Sequence, residues 1–376
     1  MKITCPQDNL SKGLAIVSRA VSTRSTMPIL CNILLATDGN RLRLASTNLE
    51  LSVNCWIEAE IEEEGKIAVP ARLLQEFVSS LPNAAVSMVL NQSNRTLQLK
   101  CLRTEGRIKG VNADEFPAIP TVEEGAQVYS QPAHVLKEVI SQVAIAAASD
   151  DSRPIFTGVL TTIGPTMTMV AADGFRLGLR STEIDGAPDQ ELTLIIPARS
   201  LVELARILPD GKAGQDELVE IAVTPNKNQV IFRTSSVELV SRLIEGQFPN
   251  YKQIMPKEWK TQVVVPTSEF LNAAKTASFF ARDSANIVRL HMESGEMTVR
   301  TESTELGDNE SRIDAIVEGQ QQADIAFNAK YLTDALNVVD SEQIKLEITS
   351  AGSPGVIKPV DSTDYVHIIM PMATSR

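Results

Sequence analysis

Val69-Pro70-Ala71-Arg72, Ile196-Pro197-Ala198-Arg199 and Phe327-Asn328-Ala329-Lys330 are three versions of one string, spaced 127 and 131 residues apart. Each opens a helical pattern. Residues 70–81 carry Leu73, Leu74, Phe77, Val78 and Leu81. Residues 197–208 carry Leu201, Leu204, Ala205 and Leu208. Residues 328–339 carry Tyr331, Leu332, Ala335, Leu336 and Val339. These spacings line one face of a helix. Pro70 and Pro197 suit a first helical turn, where a missing N–H costs nothing, and Asn328 suits an N-cap. A period of this kind decides the architecture before any single element does.

The repeat extends outward from these strings. A second helical pattern opens each copy, over 8–20 (Leu10, Leu14, Val17), 132–147 (Leu136, Val139, Ile140, Val143) and 267–282 (Phe270, Leu271, Ala274, Phe280). Then come Met27-Pro28-Ile29-Leu30, Arg153-Pro154-Ile155-Phe156 and Ala285-Asn286-Ile287-Val288, spaced 126 and 132 residues apart. Each runs into alternating segments, at 41–44, 167–170 and 297–300, that read as strands with one buried face. Further strands are expected at 95–101, 219–223, 229–233, 237–243, 261–266, 344–348 and 366–370. Proline-bearing connectors, Phe116-Pro117-Ala118-Ile119-Pro120 and Phe248-Pro249-Asn250-Tyr251, separate the copies. The expectation is an α+β chain of three similar domains, 1–120, 121–250 and 251–376, each reading helix, strands, helix, strands.

Composition narrows the class. The chain has 376 residues, 43% hydrophobic and 22% charged, which fits globular domains and excludes disorder or a collagen repeat. No apolar run reaches the roughly 18 residues of a membrane helix, and Met1–Leu10 lacks a signal-peptide core, so a cytoplasmic protein without membrane partners is expected. Cys5, Cys31, Cys55 and Cys101 form no CxxC pair and read as small apolar residues. His134, His291 and His367 lie far apart, without metal-ligand spacing, and read as surface or strand residues. No phosphate loop, GxGxxG, HExxH or GxSxG is present. Asp150-Asp151 has no third ligand, and Glu60–Gly65 reads as a solvated hairpin or loop. Nothing points to catalysis, a cofactor or a metal.

Net charge is −12, which by itself argues against a nucleic-acid binder. The charge is segregated, however. The six predicted helices carry nine basic and six acidic residues, an excess of three, so the rest of the chain carries −15. One cationic surface on an acidic body would attract phosphates without reading bases. The alternative is that these side chains solvate helix faces.

With Thr26–Leu30, Val69–Arg72, Asp173-Gly174-Phe175-Arg176-Leu177, Phe248–Tyr251 and Met370-Pro371-Met372 in order along its whole length, the chain resembles the bacterial sliding clamps, the beta subunit of DNA polymerase III. The resemblance implies the DNA clamp fold. A head-to-tail homodimer would form a ring, with helices lining the hole and antiparallel sheets outside, encircling duplex DNA without sequence preference. It implies a non-catalytic processivity factor that tethers the replicative polymerase, with an ATP-driven clamp loader opening the ring. Arg24, Arg153 and Arg199 match DNA-facing positions. Lys12, Arg72, Lys137, Arg206, Lys275, Arg282 and Lys330 join them by helix position alone. Ile108, Phe279 and Phe280 are expected at the dimer joint.

The resemblance further implies an apolar pocket for linear polymerase and loader peptides. The matching positions are Phe156, Ala172, Gly174, Phe175, Arg176, Leu177, Pro249, Ile254, Ile368, Met370, Pro371 and Met372. Flexible methionines there can repack around different anchors, and Gly174 admits close backbone approach. Three departures bear on function. Phe175 replaces a residue that is polar in some members. Ala373-Thr374-Ser375-Arg376 follows Met372, where an Arg often comes directly. Asp150 stands where a polar DNA contact can occur. Two other readings use the same residues: a peptide-binding scaffold that does not encircle DNA, and a hydrolase on a triplicated scaffold.

Overall fold

The computed structural model describes residues 1–22, 25–123, 126–188, 190–209, 217–283, 285–320 and 322–373. It has two units, whose described residues fall in 1–134 with 206–243, and in 135–205 with 244–376. Among the described residues there are six α-helices: α1 (Gln7–Val17), α2 (Ala71–Ser80), α3 (Ala133–Ala144), α4 (Ala198–Ile207), α5 (Thr267–Ala281) and α6 (Ala329–Asn337). None is long and apolar enough to cross a membrane.

The first unit holds two antiparallel sheets. One runs β5 (Glu60–Glu63), β1 (Lys2–Pro6), β7 (Ala85–Asn91), β8 (Thr96–Cys101), β9 (Thr104–Lys109). The other runs β10 (Val128–Pro132), β15 (Leu218–Val223), β16 (Gln229–Arg233), β17 (Val237–Arg242), β4 (Leu51–Glu58), β3 (Arg41–Thr47), β2 (Asn32–Asp38), β6 (Lys66–Pro70). The second unit repeats the plan. Its larger sheet runs β14 (Leu192–Pro197), β11 (Gly158–Ile163), β12 (Thr166–Ala172), β13 (Arg176–Glu183), β26 (Tyr365–Ile369), β25 (Gly355–Pro359), β24 (Gln343–Ile348), β18 (Thr261–Pro266), β22 (Ile316–Gly319). Its smaller sheet runs β21 (Gly307–Asp314), β20 (Glu296–Ser303), β19 (Ile287–Glu293), β23 (Ala323–Asn328).

The threefold repeat explains this order. Each copy splits into two sheet halves. One half joins the copy's first strand to its last three; the other holds the strands between its helices, except β5 and β22, which pair with the first strand of their copies. The second half of copy one pairs with the first half of copy two through β4 and β17, with Val53 opposite Leu239. The second half of copy two pairs with the first half of copy three through β13 and β26, with Gly178 opposite His367. Both joints are locked by the same main-chain bond beside a tight turn. The Arg242 N–H donates to the Glu50 carbonyl at 2.8 Å, and the Met370 N–H donates to the Phe175 carbonyl at 2.8 Å. The two members of a third such pair, β9 and β21, stand at sheet edges.

The six predicted helices are present, with shorter ends: α1 stops at Val17 and continues as one 3-10 turn, Ser18–Ala20. Pro70 and Pro197 differ from expectation. Each ends a strand and precedes the helix rather than lying in its first turn. Pro6, Pro132 and Pro266 do the same. A strand end tolerates the missing donor, and the fixed φ turns the chain into the helix. The strands leading the first two copies, β1 and β10, were not expected. Residues 60–63, read as a hairpin or loop, instead pair with β1 as an edge strand; their charges suit an exposed edge. Pro28–Cys31 and Pro154–Thr157 form matching 3-10 turns, whereas Ala285 and Asn286 adopt positive φ.

Amphipathic helices close each core. In copy three, Phe270, Ala274 and Ala277 of α5 meet Leu332 and Leu336 of α6 over Phe327, Leu290 and Leu346. Leu73 departs from the predicted buried face and is 51% exposed. Cys5, Cys55 and Cys101 are buried and Cys31 half-buried, all free; burial pushes the Cys5 thiol up to about 12. Asn328 caps α6 as expected, accepting from the Lys330 N–H at 2.9 Å. Asn328→Ala is expected to lower stability by about 1 kcal/mol, the usual worth of such a cap, read as a fall in the urea midpoint.

Candidate functional site

Within the second unit a cavity of about 210 Å³ opens where β12, β13 and β26 end. Ala172 ends β12, and Leu177 and Ile368 lie on the paired strands β13 and β26; these form its apolar floor, in one buried cluster with Val170. Phe156 rises from the 3-10 turn and meets Phe248 edge-on at 6.2 Å. Pro249, Tyr251 and Ile254 come from the connector, and Met370 follows β26. Burial pushes the Tyr251 hydroxyl pKa upward, with Glu191 adding to it.

The rim is set by the 173–176 turn. The Asp173 carboxylate accepts from the Phe175 and Arg176 N–H groups at 2.9 and 3.0 Å. Gly174 sits at φ +93°, which favours a residue without Cβ. The missing side chain leaves the rim open. Arg176 forms part of the wall, yet its side chain is only 10% exposed. Its Nε donates to Asp173 at 3.1 Å, its Nη1 donates to Asp334 at 2.7 Å, and it stacks on Tyr331 at 4.4 Å.

Nine of the twelve expected pocket residues line this cavity: Phe156, Ala172, Gly174, Arg176, Leu177, Pro249, Ile254, Ile368 and Met370. Phe175, Pro371 and Met372 are not on its wall. Phe175 points out, 56% exposed, and the Met372 N–H is drawn to the Ala326 carbonyl at 2.8 Å. Phe248 and Tyr251 line the cavity without having been expected, although both belong to the Phe248-Pro249-Asn250-Tyr251 string.

The expected DNA-facing residues fall differently. Arg24 lies outside the described residues, as do residues 374–376 of the tail. Lys12 and Arg72 are exposed and ion-paired with Asp8 and Glu76 one turn away. Arg199, Arg206, Lys275, Arg282 and Lys330 are exposed, and Lys137 is half-buried. Arg153 is found at the cavity, its guanidinium 5.2 Å from the centre of the Phe156 ring. It pairs with Asp150 at 3.9 Å. Hydrogen bonds from Ser152, helped by Arg153, hold the Asp150 carboxyl below its usual range. Of the expected dimer residues, Ile108 is buried within the chain, Phe280 is half-buried and Phe279 is 59% exposed.

His134 opens α3 and His291 pairs with Asp324 at 2.8 Å. His367 neighbours the cavity floor on β26 and is fully buried. The Tyr365 hydroxyl lies 3.2 Å from its Nδ1 and donates to the Gln142 carbonyl at 3.4 Å. Burial first, and the nearby Arg176 charge second, push the His367 pKa down to about 3. The unfolded chain therefore binds the extra proton below about pH 6.5, while the folded chain refuses it until about pH 3. This group's stability contribution is complete above pH 6.5 and lost as pH falls toward 3. Between pH 7 and 5 the loss is about 2 kcal/mol. His367→Leu, which copies Leu239 at the matching register, should flatten the pH slope of urea stability by about that amount.

Three family models match the chain. The N-terminal domain of the DNA polymerase III beta subunit matches residues 1–120, the central domain 131–250 and the C-terminal domain 252–373. The beta sliding clamp of Bacillus subtilis is 32% identical, with all of both chains covered, and that of a Synechocystis species is 32% identical over 99% of each. The crystal structure of the Bacillus subtilis DNA polymerase sliding clamp superposes with a TM-score of 0.93 at 31% identity over the whole of both chains. A sliding clamp from Pseudomonas aeruginosa bound to griselimycin does so at 0.91 with 28% identity, again over the whole of both chains.

Proposed function

The chain belongs to the family of DNA polymerase III beta subunits, the sliding clamps, and from that premise we propose how its own residues carry the work. It is a non-catalytic processivity factor of three clamp-fold domains. The boundaries that follow from the repeat are 1–120, 121–250 and 251–376. Two copies close head to tail around duplex DNA, in the cytoplasm, after opening by a clamp loader.

The observation that carries this reading is the joint built twice within the chain. Its third pair of strands, β9 and β21, is divided between two sheet edges. An exposed ladder of N–H and C=O groups seeks a partner. Pairing β9 of one copy with β21 of another repeats the internal joint and, done twice, leaves neither edge open. An exposed apolar side chain supports each edge. Leu73 stands on α2, whose Phe77 ring packs where a Cβ at Gly106 of β9 would lie, and Phe279 stands on α5, which packs on β20 and β21. Ile108 and Phe280 would then contribute from beneath.

Arg24, Arg199, Arg206, Lys275, Arg282 and Lys330, with Lys12, Arg72 and Lys137, would face DNA. Their modest excess of positive charge suits a slider, because tight phosphate contacts would act as a brake. Arg153 would serve the cavity more than the DNA, given its stacking on Phe156. The cavity would take apolar anchors of linear peptides from the polymerase and the loader. Phe175 and Met372, outside its wall, would flank the peptide.

Negative-stain electron microscopy of the purified protein is expected to show closed particles with a central hole; crescents or compact monomers at micromolar concentration would overturn the joint. Phe279→Asp should shift the mass toward monomer, since it would bury an unpaired charge in an apolar joint; an unchanged dimer mass would place the joint elsewhere. Gly174→Leu should weaken binding of a fluorescent peptide copied from the cognate polymerase about tenfold or more. The chain itself carries Leu49, at φ 76°, at the matching turn position of copy one, but a Cβ at Gly174 would come within 3.1 Å of the Arg153 Nη1, so the urea midpoint of the variant is read beside its affinity.

A further inference from the structure

Arg176 is a long, flexible cation in the wall of an apolar cavity. Left unanchored, its side chain could fold into the space a peptide anchor needs, because a free arginine samples many rotamers. Two elements prevent this. Asp173 holds its Nε from within the turn, while Asp334 and Tyr331 hold its far end from α6. Neither Asp334 nor Tyr331 lines the cavity.

Copy one shows that the turn does not need this arrangement in order to fold. There Asn48 takes the place of Asp173, accepting from the Glu50 and Leu51 N–H groups at 3.0 and 2.8 Å. The Arg242-to-Glu50 bond repeats the Met370-to-Phe175 bond. Leu51, buried at 6% exposure, occupies the position of Arg176. The same backbone is thus built with no cation and no link to a helix. The Arg176–Asp334 pair is an addition confined to the joint that bears the cavity.

We propose that Asp334 is a positioning residue for the cavity: it draws the Arg176 guanidinium toward α6 and keeps it a wall rather than a plug, so that an apolar peptide side chain can enter. This rests on the reading of the cavity as the peptide site. The guanidinium planes against Tyr331 and forks between two carboxylates, a geometry that a lysine at 176 would not reproduce.

The test is peptide affinity, by fluorescence anisotropy with the labelled polymerase peptide, on full-length protein. Asp334→Asn should weaken binding about tenfold with an unchanged urea midpoint, and Asp334→Glu should restore most of it. In an Arg176→Gln background the Asp334→Asn change should alter affinity less than about twofold, because its effect runs through Arg176. Wild-type affinity in Asp334→Asn, or the same tenfold loss in the Arg176→Gln background, would overturn the assignment while leaving the peptide site standing. A wild-type protein that fails to bind, or binding untouched by Gly174→Leu, would overturn the site and the assignment together.

Discussion

The rest of the structure depends on a single constraint: a strand edge must be paired or protected. Each copy of the repeat is too small to hide its own edges. Each of its two sheet halves ends on a strand that can pair with another copy of the repeat. Pairing β4 with β17 and β13 with β26 removes four of these edges by ladders of main-chain bonds, with Val53 against Leu239 and Gly178 against His367 as their centres. The chain therefore divides physically into two units that do not coincide with its three domains. Copy two is shared between them because its halves pair in opposite directions along the chain. The same constraint leaves β9 and β21 at open edges, the two strands that the proposed joint would pair.

Once joints carry the architecture, helices are released from specifying neighbours. Their inner faces need only be apolar, as Leu74 and Val78 of α2 or Leu201 and Leu204 of α4 are. Their outer faces can then carry a thin excess of Lys and Arg while the sheets stay acidic. Several of these cations are already engaged, Lys12 with Asp8 and Arg72 with Glu76. Such pairs are worth little in water, so they hold the cations loosely and spread a weak field instead of fixing a site. Weak, unspecific attraction is what sliding needs.

Much of this was legible in the sequence. Helices with three-residue and four-residue spacing, such as 70–81 and 328–339, read cleanly, as did alternating segments such as 167–170, which lies within the strand Thr166–Ala172. The resemblance placed most of the cavity wall. The strands Lys2–Pro6 and Val128–Pro132 were not expected, because each runs straight into a helical pattern whose three- and four-residue spacing dominates the reading of its stretch. The proline before five of the six helices was the available signal. The joints could not be read, because alternation reveals which face is buried and not which strand lies alongside; β4 and β17 are nearly two hundred residues apart. Leu73 misled because its spacing fits a buried face while its surroundings do not cover it. The stacking of Arg153 on Phe156 could not be read either, because a basic residue in a loop says nothing of the ring beside it.

The two internal joints also differ in that the second holds the described cavity beside its turn. Turn for turn the backbones agree, down to a 2.8 Å bond at each lock. The side chains do not. Leu49 stands where Gly174 opens the rim, Glu50 where Phe175 points outward, Arg242 where Met370 lines the wall, and Leu51 where Arg176 reaches for α6. Leu30, 3% exposed, fills the place of Phe156. Copy one thus keeps the joint as packing, whereas copy two removes a side chain at the rim, places sulfur and aromatic groups around the gap and ties back the one cation beside it. Stability comes from the shared ladder, so the second joint is free to carry a cavity that would otherwise cost it packing.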